Sequence, residues 1–356
     1  MSSEMPPILL TRDAFRTAVF ERDQHRCVLC GKPAADAHHI LERRLWPDEG
    51  YYLENGASVC PEHHILCEQT VVSCEELRER CGIPHAILPP HLYDDGDSHY
   101  DKWGNPILSN GMRMRGELFF DESVQKVLVE GRVLGLFTQY VKYPRTYHLP
   151  WSPGVTKDDR VQTDLSAFEG QEVVATVKMD GENTTFYRNY IHARSLEYRP
   201  RVDRDRVKAL HAVLSHEIPY GWRICGENLW AEHSIRYEHL PSIFQVFSVW
   251  NDQNHCLPWD ETVEWVAMLD LHMVPVLYRG PWDEARVRSL YVPTFQDEAC
   301  EGFVIRVTAG FRYGEFRRKV AKYVREGHVR TQAHWTRSIR PNGLRIDTEG
   351  KETPHV

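Results

Sequence analysis

The sequence predicts an α+β protein with a small metal-binding region in front of a larger domain of strands and helices. Apolar runs such as EVVATVKM, SIFQVFSVW and GFVIRV are short, β-branched and aromatic, which is typical of strands in an antiparallel or mixed sheet. Between them, DRVKALHAVLSHE and DETVEWVAMLDLH have helical character. The region before Cys81 is instead rich in cysteine and histidine.

Composition narrows the class of protein. A chain of 356 residues that is 42% hydrophobic has room for two or three domains. The N-terminal stretch MSSEMPPILLTRDAF lacks the features of a signal peptide, and no window has the apolar length of a membrane span. We therefore expect a cytoplasmic protein with no membrane partner, whose nine cysteines are thiols or metal ligands. A net charge of -8 argues against a protein that coats nucleic acid everywhere.

The domain limits follow from turn-forming residues. The passage ILPPHLYDDGDSHYDKWGNP is rich in Pro, Gly and Asp and predicts a boundary. We expect a first domain over residues 1–84, a linker or small accessory region over 85–138, a main domain over 139–330, and a short basic and aromatic tail over 331–356. Within the linker, FFDESVQKVLVEGRVLGLF is either a short helix or a pair of strands. The basic run at residues 311–330 is either a nucleic-acid face or a solvated helix face.

Two pairs of metal-binding residues lie in the first domain. Cys27 and Cys30 form a CxxC pair, and Cys60 and His63 form a CxxH pair. Such pairs, joined by a segment long enough to fold back, predict a closed tetrahedral Zn²⁺ site; the alternative is chance pairing in a histidine-rich chain.

Three further cysteines in this region recur every seven residues, at Cys67, Cys74 and Cys81. On a helix this spacing places the side chains along one stripe. We therefore expect a buried apolar face and no second metal site from these thiols.

Four polar residues lie around the zinc pairs, namely His38, His39, Asn55 and His64. With them, residues 20–70 resemble the HNH (ββα-metal) nuclease family. The resemblance implies a zinc-stabilised ββα module in which His38 and His64 hold a catalytic divalent metal, His39 is the general base that activates water, and Asn55 orients His39. His63 stands where many relatives carry cysteine. The alternative is a zinc-stapled module that binds nucleic acid without cutting it.

The stretch KMDGEN begins with Lys178, and its Asp-Gly pair between strand-forming residues is by itself a hairpin signal. Several short motifs follow it in order: HARS, CGENLWA, FQVFSVW, EGFVIRV and KVAKYVR. As an ordered set over residues 140–330 they resemble the nucleotidyltransferase motifs of ATP-dependent RNA ligases, relatives of DNA ligases and mRNA capping enzymes. The upstream run KYPRTYHLPWSPG resembles the entry segment of the Deinococcus-type branch. The resemblance implies an ATP-grasp-like adenylyltransferase domain.

By this resemblance, Lys178 is the nucleophile that attacks the α-phosphate of ATP and forms a lysine–AMP phosphoramidate. Asp180 and Gly181 shape the turn and let the backbone approach phosphate. Asn183 matches a position used at the sealing stage, and Arg194 contacts nucleotide phosphate or sugar. The alternative for Arg194 is a surface salt bridge.

The later motifs imply the remaining contacts with the nucleotide. Glu227 binds the ribose hydroxyls and Glu301 helps to hold the divalent metal, although both are alternatively carboxylates at the rim of the sheet. Phe247 stacks on adenine, with its neighbours Phe244 and Trp250 as alternative stacking rings. The lysine of the last motif, Lys322, contacts the α-phosphate.

The sequence departs from the family pattern in its last motif. RNA ligases often carry a second lysine two residues after the first, and here that position is Val324. Lys319 or Arg325 is the candidate substitute for this second lysine, and Lys319 is included among the predicted nucleotide-binding residues. The short tail also lacks the length of an extra C-terminal domain, so strand recognition is expected from the N-terminal region or from HVRTQAHWTRSIRP, where Trp335 is available for stacking.

The resulting hypothesis is an ATP-dependent RNA ligase that joins 3′-OH and 5′-phosphate ends, with an HNH domain that cleaves or binds nucleic acid. Its cofactors are ATP, Mg²⁺ or Mn²⁺, and Zn²⁺; its partner is RNA, with DNA as the alternative, and its expected role is RNA repair. The alternatives are a DNA ligase, a GTP-using capping-type nucleotidyltransferase, and a nuclease with a degenerate ligase half. The motifs KMDG, GEN, EGF and AKY are complete, which argues against the last of these.

Overall fold

The computed structural model describes residues 7–92, 99–108, 110–157, 159–194, 196, 202–327 and 340–345. The chain divides into two compact units, residues 1–141 and 142–356. Trp335 and most of the tail that the sequence assigns to RNA contact lie outside the described residues. None of the described helices is both long and apolar enough to cross a bilayer.

The first unit is a set of short helices around a two-stranded hairpin. Its elements are α1 (Arg12–Arg22), β1 (Asp36–His39), β2 (Gly56–Val59), α2 (Pro61–Glu68), α3 (Cys74–Cys81), β3 (His99–Tyr100), β4 (Pro106–Ile107) and α4 (Glu122–Glu130). Strands β1 and β2 pair antiparallel, with His39 opposite Gly56. A Cβ on Gly56 would lie 2.4 Å from the Val19 side chain, so glycine allows α1 to pack closely on β2.

Helix α2 follows β2 directly. Cys60 is its N-cap and Pro61 occupies the first turn, where the missing N–H of proline costs no hydrogen bond. This start places His63 and His64 in the first turn of α2, at the end of a β-β-α sequence of elements. Two zinc-pair residues and one further histidine are thereby held on a single short segment.

The three regularly spaced cysteines do not lie on one helix. Cys67 belongs to α2, whereas Cys74 and Cys81 begin and end α3, which Ser73 caps by accepting a hydrogen bond from Glu76 N–H. The expected single stripe was therefore wrong, because the chain turns between residues 69 and 73. The expected burial is confirmed for Cys67 and Cys74, which are 1% and 3% exposed in the core of the first unit.

The segment FFDESVQKVLVEGRVLGLF, for which the sequence allows a short helix or a pair of strands, is helical. Residues 117–120 form a 3₁₀ turn, α4 follows, and residues 134–136 form another 3₁₀ turn. The Asp121 carboxylate caps α4 by accepting hydrogen bonds from the N–H groups of Ser123 and Val124. Val124 and Leu128, four residues apart, share one face of α4 and are fully buried, so helical periodicity decides the outcome.

The second unit is a mixed α+β fold, as the sequence predicted. Its strands are β5 (Tyr147–His148), β6 (Glu172–Val177), β7 (Glu182–Tyr187), β8 (Tyr190–Ala193), β9 (Arg223–Asn228), β10 (Phe244–Trp250), β11 (His255–Cys256), β12 (His272–Met273), β13 (Val276–Pro281), β14 (Thr294–Phe295), β15 (Glu298–Ala299), β16 (Gly302–Val307), β17 (Phe311–Arg312) and β18 (Val320–Val324). Its helices are α5 (Asp205–Leu214), α6 (Trp259–Met268), α7 (Glu284–Arg288) and α8 (Phe316–Lys319).

Two sheets form the frame of this unit. One has the strand order β13-β6-β16-β18-β5, and the other has the order β17-β11-β10-β9-β7-β8, with β12 beside β10. The pairs β18–β5 and β10–β12 are parallel, and the remaining pairs named here are antiparallel. Apolar side chains of both sheets share one core, including Ala175 and Phe303 from the first and Cys225 and Trp250 from the second. Burial of a large apolar side chain such as that of Phe303 contributes about 1.5–3 kcal/mol to the free energy of unfolding.

The KMDGEN stretch crosses from one sheet to the other. Strand β6 ends at Val177 and β7 begins at Glu182, but β6 pairs with β13 and β16, whereas β7 pairs with β8 and β9. The hairpin alternative for Asp180 and Gly181 is therefore wrong. The described part of the basic run is not one long solvated helix either, since it contains strand β17, a 3₁₀ turn over residues 313–315, the single turn of α8 and then strand β18.

Candidate functional site

The second unit contains a cavity of about 300 Å³, within the size range of small-molecule sites. Apolar and charged residues both line it. The charged and polar wall includes Arg145, Asp159, Lys178, Asn183, Arg194, Glu227, Arg306 and Lys322; the apolar wall includes Tyr143, Phe247, Trp259, Val274, Val304, Phe311 and Phe316. A flat apolar group and an anionic group can both be accommodated in such a cavity.

Lys178 stands at the end of β6, where its backbone N–H donates to the carbonyl of Gly302 at 2.9 Å. Its ammonium donates a hydrogen bond to the carboxylate of Glu301. Burial acts to lower the pKa of Lys178, but the carboxylates of Glu301 and Glu227 outweigh it, and the net pKa is raised. The lysine is therefore held as an ammonium group and must pass a proton on before it can act as a nucleophile.

Asp180 fastens the chain after Lys178. Its carboxylate accepts hydrogen bonds from the backbone N–H groups of Ser234 and Ile235, both at 2.7 Å. Its own N–H donates to the hydroxyl of Tyr237 at 2.8 Å. Asp180 therefore fixes the position of the Lys178 segment through backbone contacts and is not part of the described cavity wall.

Gly181 allows a close approach between two stretches of backbone. Its N–H donates to Oε1 of Glu227 at 3.1 Å, and a Cβ at this position would lie 2.3 Å from the carbonyl oxygen of Asn228. Real Cβ atoms do not reach that distance. The glycine is thus required by packing against β9, and it ties Glu227 to the Lys178 segment.

Two ionisable groups on the cavity wall have pKa values near 8. Burial raises the pKa of Glu227 to about 8, and the positive charge of Lys178 opposes this effect only in part. Burial, together with repulsion from Lys178, lowers the pKa of Lys322 to about 8. Perturbed carboxyl and ammonium groups in one cavity are typical of sites where charge is bound or transferred.

Asn183, Arg194 and Phe247 also line the cavity, as their predicted roles require. Asn183 lies opposite Glu227 in the β7–β9 pairing, and its buried Oδ1 has no hydrogen-bond partner among the described atoms, so this oxygen is available to accept a hydrogen bond. The ring of Phe247 packs edge-on at 5.1 Å from Tyr143. Of the two alternative stacking rings, Phe244 stacks on Phe186 in the core and Trp250 is fully buried.

Lys319 lies elsewhere. It is in the last turn of α8, where its ammonium is 2.6 Å from a carboxylate oxygen of Glu315, and it is not part of the described cavity wall. Sequence reasoning also missed wall residues, among them Tyr143 and Asp159. The run KYPRTYHLPWSPG indicated this region without identifying a residue, and Asp159 lies in no motif.

The four predicted zinc ligands converge in the first unit. Cys27, Cys30, Cys60 and His63 present ligand atoms that all lie within 4.8 Å of one another. His63 Nδ1 is 3.4 Å from Cys27 Sγ and 3.3 Å from Cys60 Sγ, and the sulfurs of Cys30 and Cys60 are 3.9 Å apart. A zinc ion with Zn–S bonds of about 2.3 Å in tetrahedral geometry requires sulfur–sulfur distances of about 3.8 Å. The donor set fits Zn²⁺.

A second cluster joins His38 and His64 to a residue that sequence reasoning missed, Glu68. His38 Nδ1 and His64 Nε2 are each 3.5 Å from Oε1 of Glu68. Neither ring nitrogen of the buried His38 has a hydrogen-bond partner among the described atoms. Glu68 lies four residues after His64 on α2, a spacing that brings both to one face, and this was the available signal. Two imidazoles and a carboxylate suit a divalent metal.

His39 faces away from that cluster. Successive strand residues point to opposite faces, so His38 faces α2 while the ring of His39 stacks on Phe15 of α1 at 4.7 Å. Burial and the nearby Lys102 lower the pKa of His39 to about 4, which leaves it neutral near pH 7. The side chain of Asn55 holds the backbone just after His39, accepting from Leu41 N–H at 2.9 Å and donating to its carbonyl at 3.1 Å.

Comparison with known proteins gives one family model that matches a large part of the second unit. The family model described as RNA ligase matches residues 171–324, which run from β6 to β18. A search of curated proteins gives no match.

Three solved structures illustrate the structural likeness. A variant of Naegleria gruberi RNA ligase with AMP and Mn is 16% identical, with a TM-score of 0.38, over 53% of this chain and 56% of that chain. An archaeal ATP-dependent RNA ligase is 16% identical, with a TM-score of 0.35, over 52% and 48%. An Aquifex aeolicus protein assigned as an ATP-dependent DNA ligase is 19% identical, with a TM-score of 0.37, over 52% and 50%. The chain thus spans about half the length of each.

Most residues that line the cavity lie within the matched segment, although residues 143–146 and Asp159 precede it. Lys178, Asn183, Arg194, Glu227, Phe247 and Lys322 all line the cavity and all lie within residues 171–324. Residues 171–324 of the second unit are therefore similar in sequence to the RNA ligase family.

Proposed function

We propose that the protein is an ATP-dependent RNA ligase that seals 3′-OH and 5′-phosphate ends through lysyl-AMP and adenylylated RNA. The observation that carries the proposal is the meeting of Lys178, Glu227 and Lys322 at one cavity, within the segment that matches the RNA ligase family model. The nucleophile, an acidic group and a second cation are the parts that adenylyl transfer from ATP needs.

In this proposal, the Lys178 ammonium first loses one proton to solvent water, and its neutral Nζ then attacks the α-phosphate. A P–N bond forms as the bond to pyrophosphate breaks. Lys322 lies on the same cavity wall and offsets the negative charge that grows on the phosphate. Glu227 accepts hydrogen bonds from the ribose hydroxyls, and Phe247 contacts adenine. Glu301 accepts a hydrogen bond from the Lys178 ammonium and is the candidate ligand for Mg²⁺ or Mn²⁺. The metal ion would then replace the ammonium as the positive charge beside the Glu301 carboxylate.

The test is covalent labelling with α-labelled ATP and Mg²⁺ or Mn²⁺ after bound nucleotide and pyrophosphate are stripped from the protein. Wild type should carry a label that survives denaturation, and Lys178→Ala should carry none. Lys126→Ala is the matched control, because Lys126 is an exposed lysine on α4 of the first unit, and it should label as wild type does. A label that persists in Lys178→Ala would refute the assignment of the nucleophile.

The same assay separates the rival functions. A capping-type nucleotidyltransferase would take its label from GTP, so parallel reactions with ATP and GTP identify the nucleotide. RNA ligase and DNA ligase share the adenylylation step, and we expect nicked or broken RNA to be sealed in preference to nicked DNA. Equal or faster sealing of DNA would favour the DNA ligase alternative and would remove the proposed role in RNA repair.

We further propose that the first unit is an HNH-type module with a structural zinc and a catalytic divalent metal. The zinc would be held by the four-ligand cluster at Cys27, and the second metal by His38 and His64, with Glu68 as a further donor. Such a metal would stabilise charge on a phosphodiester, and neutral His39 would be the base that accepts a proton from water, although its ring stacks on Phe15 on the other face of β1 from His38. Asn55 supports the role of His39 by holding the backbone that follows it.

Cleavage of structured RNA and of supercoiled DNA with Mg²⁺ or Mn²⁺ tests this second proposal. His39→Ala should abolish cutting while one equivalent of zinc is retained, and His272→Ala, at an exposed histidine of the second unit, should cut normally. Unchanged cutting by His39→Ala would contradict its role as the base. If wild type binds both nucleic acids but cuts neither, the zinc-stapled binding module is the better description.

A further inference from the structure

Asp159 lies beside Lys322 on the cavity wall. It belongs to none of the nucleotidyltransferase motifs. Its Oδ1 is 3.8 Å from the Lys322 ammonium and 3.4 Å from Nε2 of His148, which is 1% exposed. Its Oδ2 accepts hydrogen bonds from the backbone N–H and the hydroxyl of Thr156, at 3.1 and 2.8 Å. One carboxylate therefore receives contacts on both oxygens while facing the cavity.

The segment that carries Asp159 is fastened to the strand that carries Lys322. His148 lies opposite Lys322 in the parallel β5–β18 pairing. The hydroxyl of Ser152 accepts a hydrogen bond from the backbone N–H of Val324 at 2.9 Å and is 2.8 Å from Nδ1 of His148. His148, which contacts Asp159, is thus held opposite Lys322 by backbone pairing and by the buried Ser152 hydroxyl.

The charges around Lys322 are unevenly distributed. Lys178 from the end of β6 and Arg194 from the end of β8 repel its ammonium, whereas Asp159 and Glu301 attract it. Glu301 already binds Lys178. Asp159 is therefore the carboxylate most directly available to offset the positive charge on Lys322, and without it burial and two cations would favour the neutral amine.

We propose that Asp159 is a positioning residue, a resident counter-ion that keeps Lys322 protonated and aimed at the α-phosphate site of the cavity. The inference rests on the proposed ligase function for its catalytic meaning. The charge effect on Lys322 exists in the free protein. The two parts can therefore be tested separately, and failure of one is distinguishable from failure of the other.

The first test measures the protonation of Lys322 directly. Competitive acetylation with acetic anhydride between pH 6 and 10, followed by mass spectrometry of the peptide that contains Lys322, reports its apparent pKa without any need for activity. Asp159→Asn should lower that pKa by about one unit or more, because it removes a unit charge at 3.8 Å from a partly buried amine. Asp159→Glu should retain most of the wild-type value. An unchanged pKa in Asp159→Asn overturns the proposal.

The second test uses the pH dependence of self-adenylylation. The basic limb of kcat/KM for ATP reports the free protein, so Asp159→Asn should match wild type near pH 6 and fall about tenfold below it by pH 9. Asp164→Asn is the matched control, at an exposed aspartate of the same segment, and should follow wild type throughout. A loss by the same factor at every pH would reduce Asp159 to a structural role and overturn the proposal.

Discussion

Replacement of Glu227 by glutamine should stabilise the second unit, by an amount that grows with pH. The carboxyl loses its proton near pH 4.5 in the unfolded chain and near pH 8 in the folded protein, because burial disfavours the charged form. The folded state therefore binds the proton more tightly, and stability falls as the pH rises from 4.5 to 8. At about 1.4 kcal/mol per pH unit, the raised pKa of Glu227 lowers the free energy of unfolding by about 3 kcal/mol at pH 7 and by less than about 1 kcal/mol at pH 5.

Glutamine removes this cost and keeps the shape. Its amide oxygen can still accept the hydrogen bond that Gly181 N–H donates to Oε1 of Glu227. For a unit of this length, 1 kcal/mol corresponds to roughly 2–4 °C in melting temperature, so Glu227→Gln should melt at least about 5 °C above wild type at pH 7 and close to it at pH 5. Labelling with ATP should fall at the same time, because the ribose contact is weakened.

Thermal unfolding of both proteins from pH 5 to pH 9 provides the measurement. Glu169→Gln is the control, since Glu169 is an exposed glutamate that precedes β6, and its melting temperature should track wild type at every pH. A melting-temperature difference that does not change with pH would refute the reasoning, as would a Glu227→Gln protein that is less stable than wild type at pH 8.

Two further outcomes follow from the metal cluster and from the Lys178 segment. Cys60→Ser should lose the bound zinc in metal analysis and destabilise the first unit, whereas Cys81→Ser should retain it; equal zinc content would contradict the four-ligand site. Gly181→Ala should lose at least roughly tenfold in labelling and about 1–3 kcal/mol in stability, because its Cβ would meet the backbone of Asn228. Gly135→Ala, where a Cβ meets nothing within 4 Å, should change neither labelling nor melting temperature.

Local pattern was sufficient where chemistry depends on spacing along the chain. The CxxC and CxxH pairs indicated four ligands that converge, because residues three apart at a turn or a helix start lie on the same side. The β-branched runs were strands, since such residues fit a pleated and buried surface. The family resemblance could also be read from the sequence, because its motifs are short and follow one another in a fixed order along the chain.

Contacts between distant segments could not be found in this way. Glu68 joins the histidine cluster only because α2 packs beside β1, and Asp159 reaches Lys322 only because β5 pairs with β18. Lys319 carries the right charge in the right motif, yet the turn of α8 pairs it with Glu315 and keeps it off the described cavity wall.

The sequence by itself therefore determined the residue types, the zinc pairs, the strand segments and the order of the nucleotidyltransferase motifs. Only the tertiary structure decided that KMDGEN joins two different sheets. It also decided that Glu227 lies near enough to Lys178 for the lysine charge to act on its pKa, while burial raises that pKa. The physical reason is that charge and desolvation depend on distances through space, and strand pairing between remote segments sets those distances.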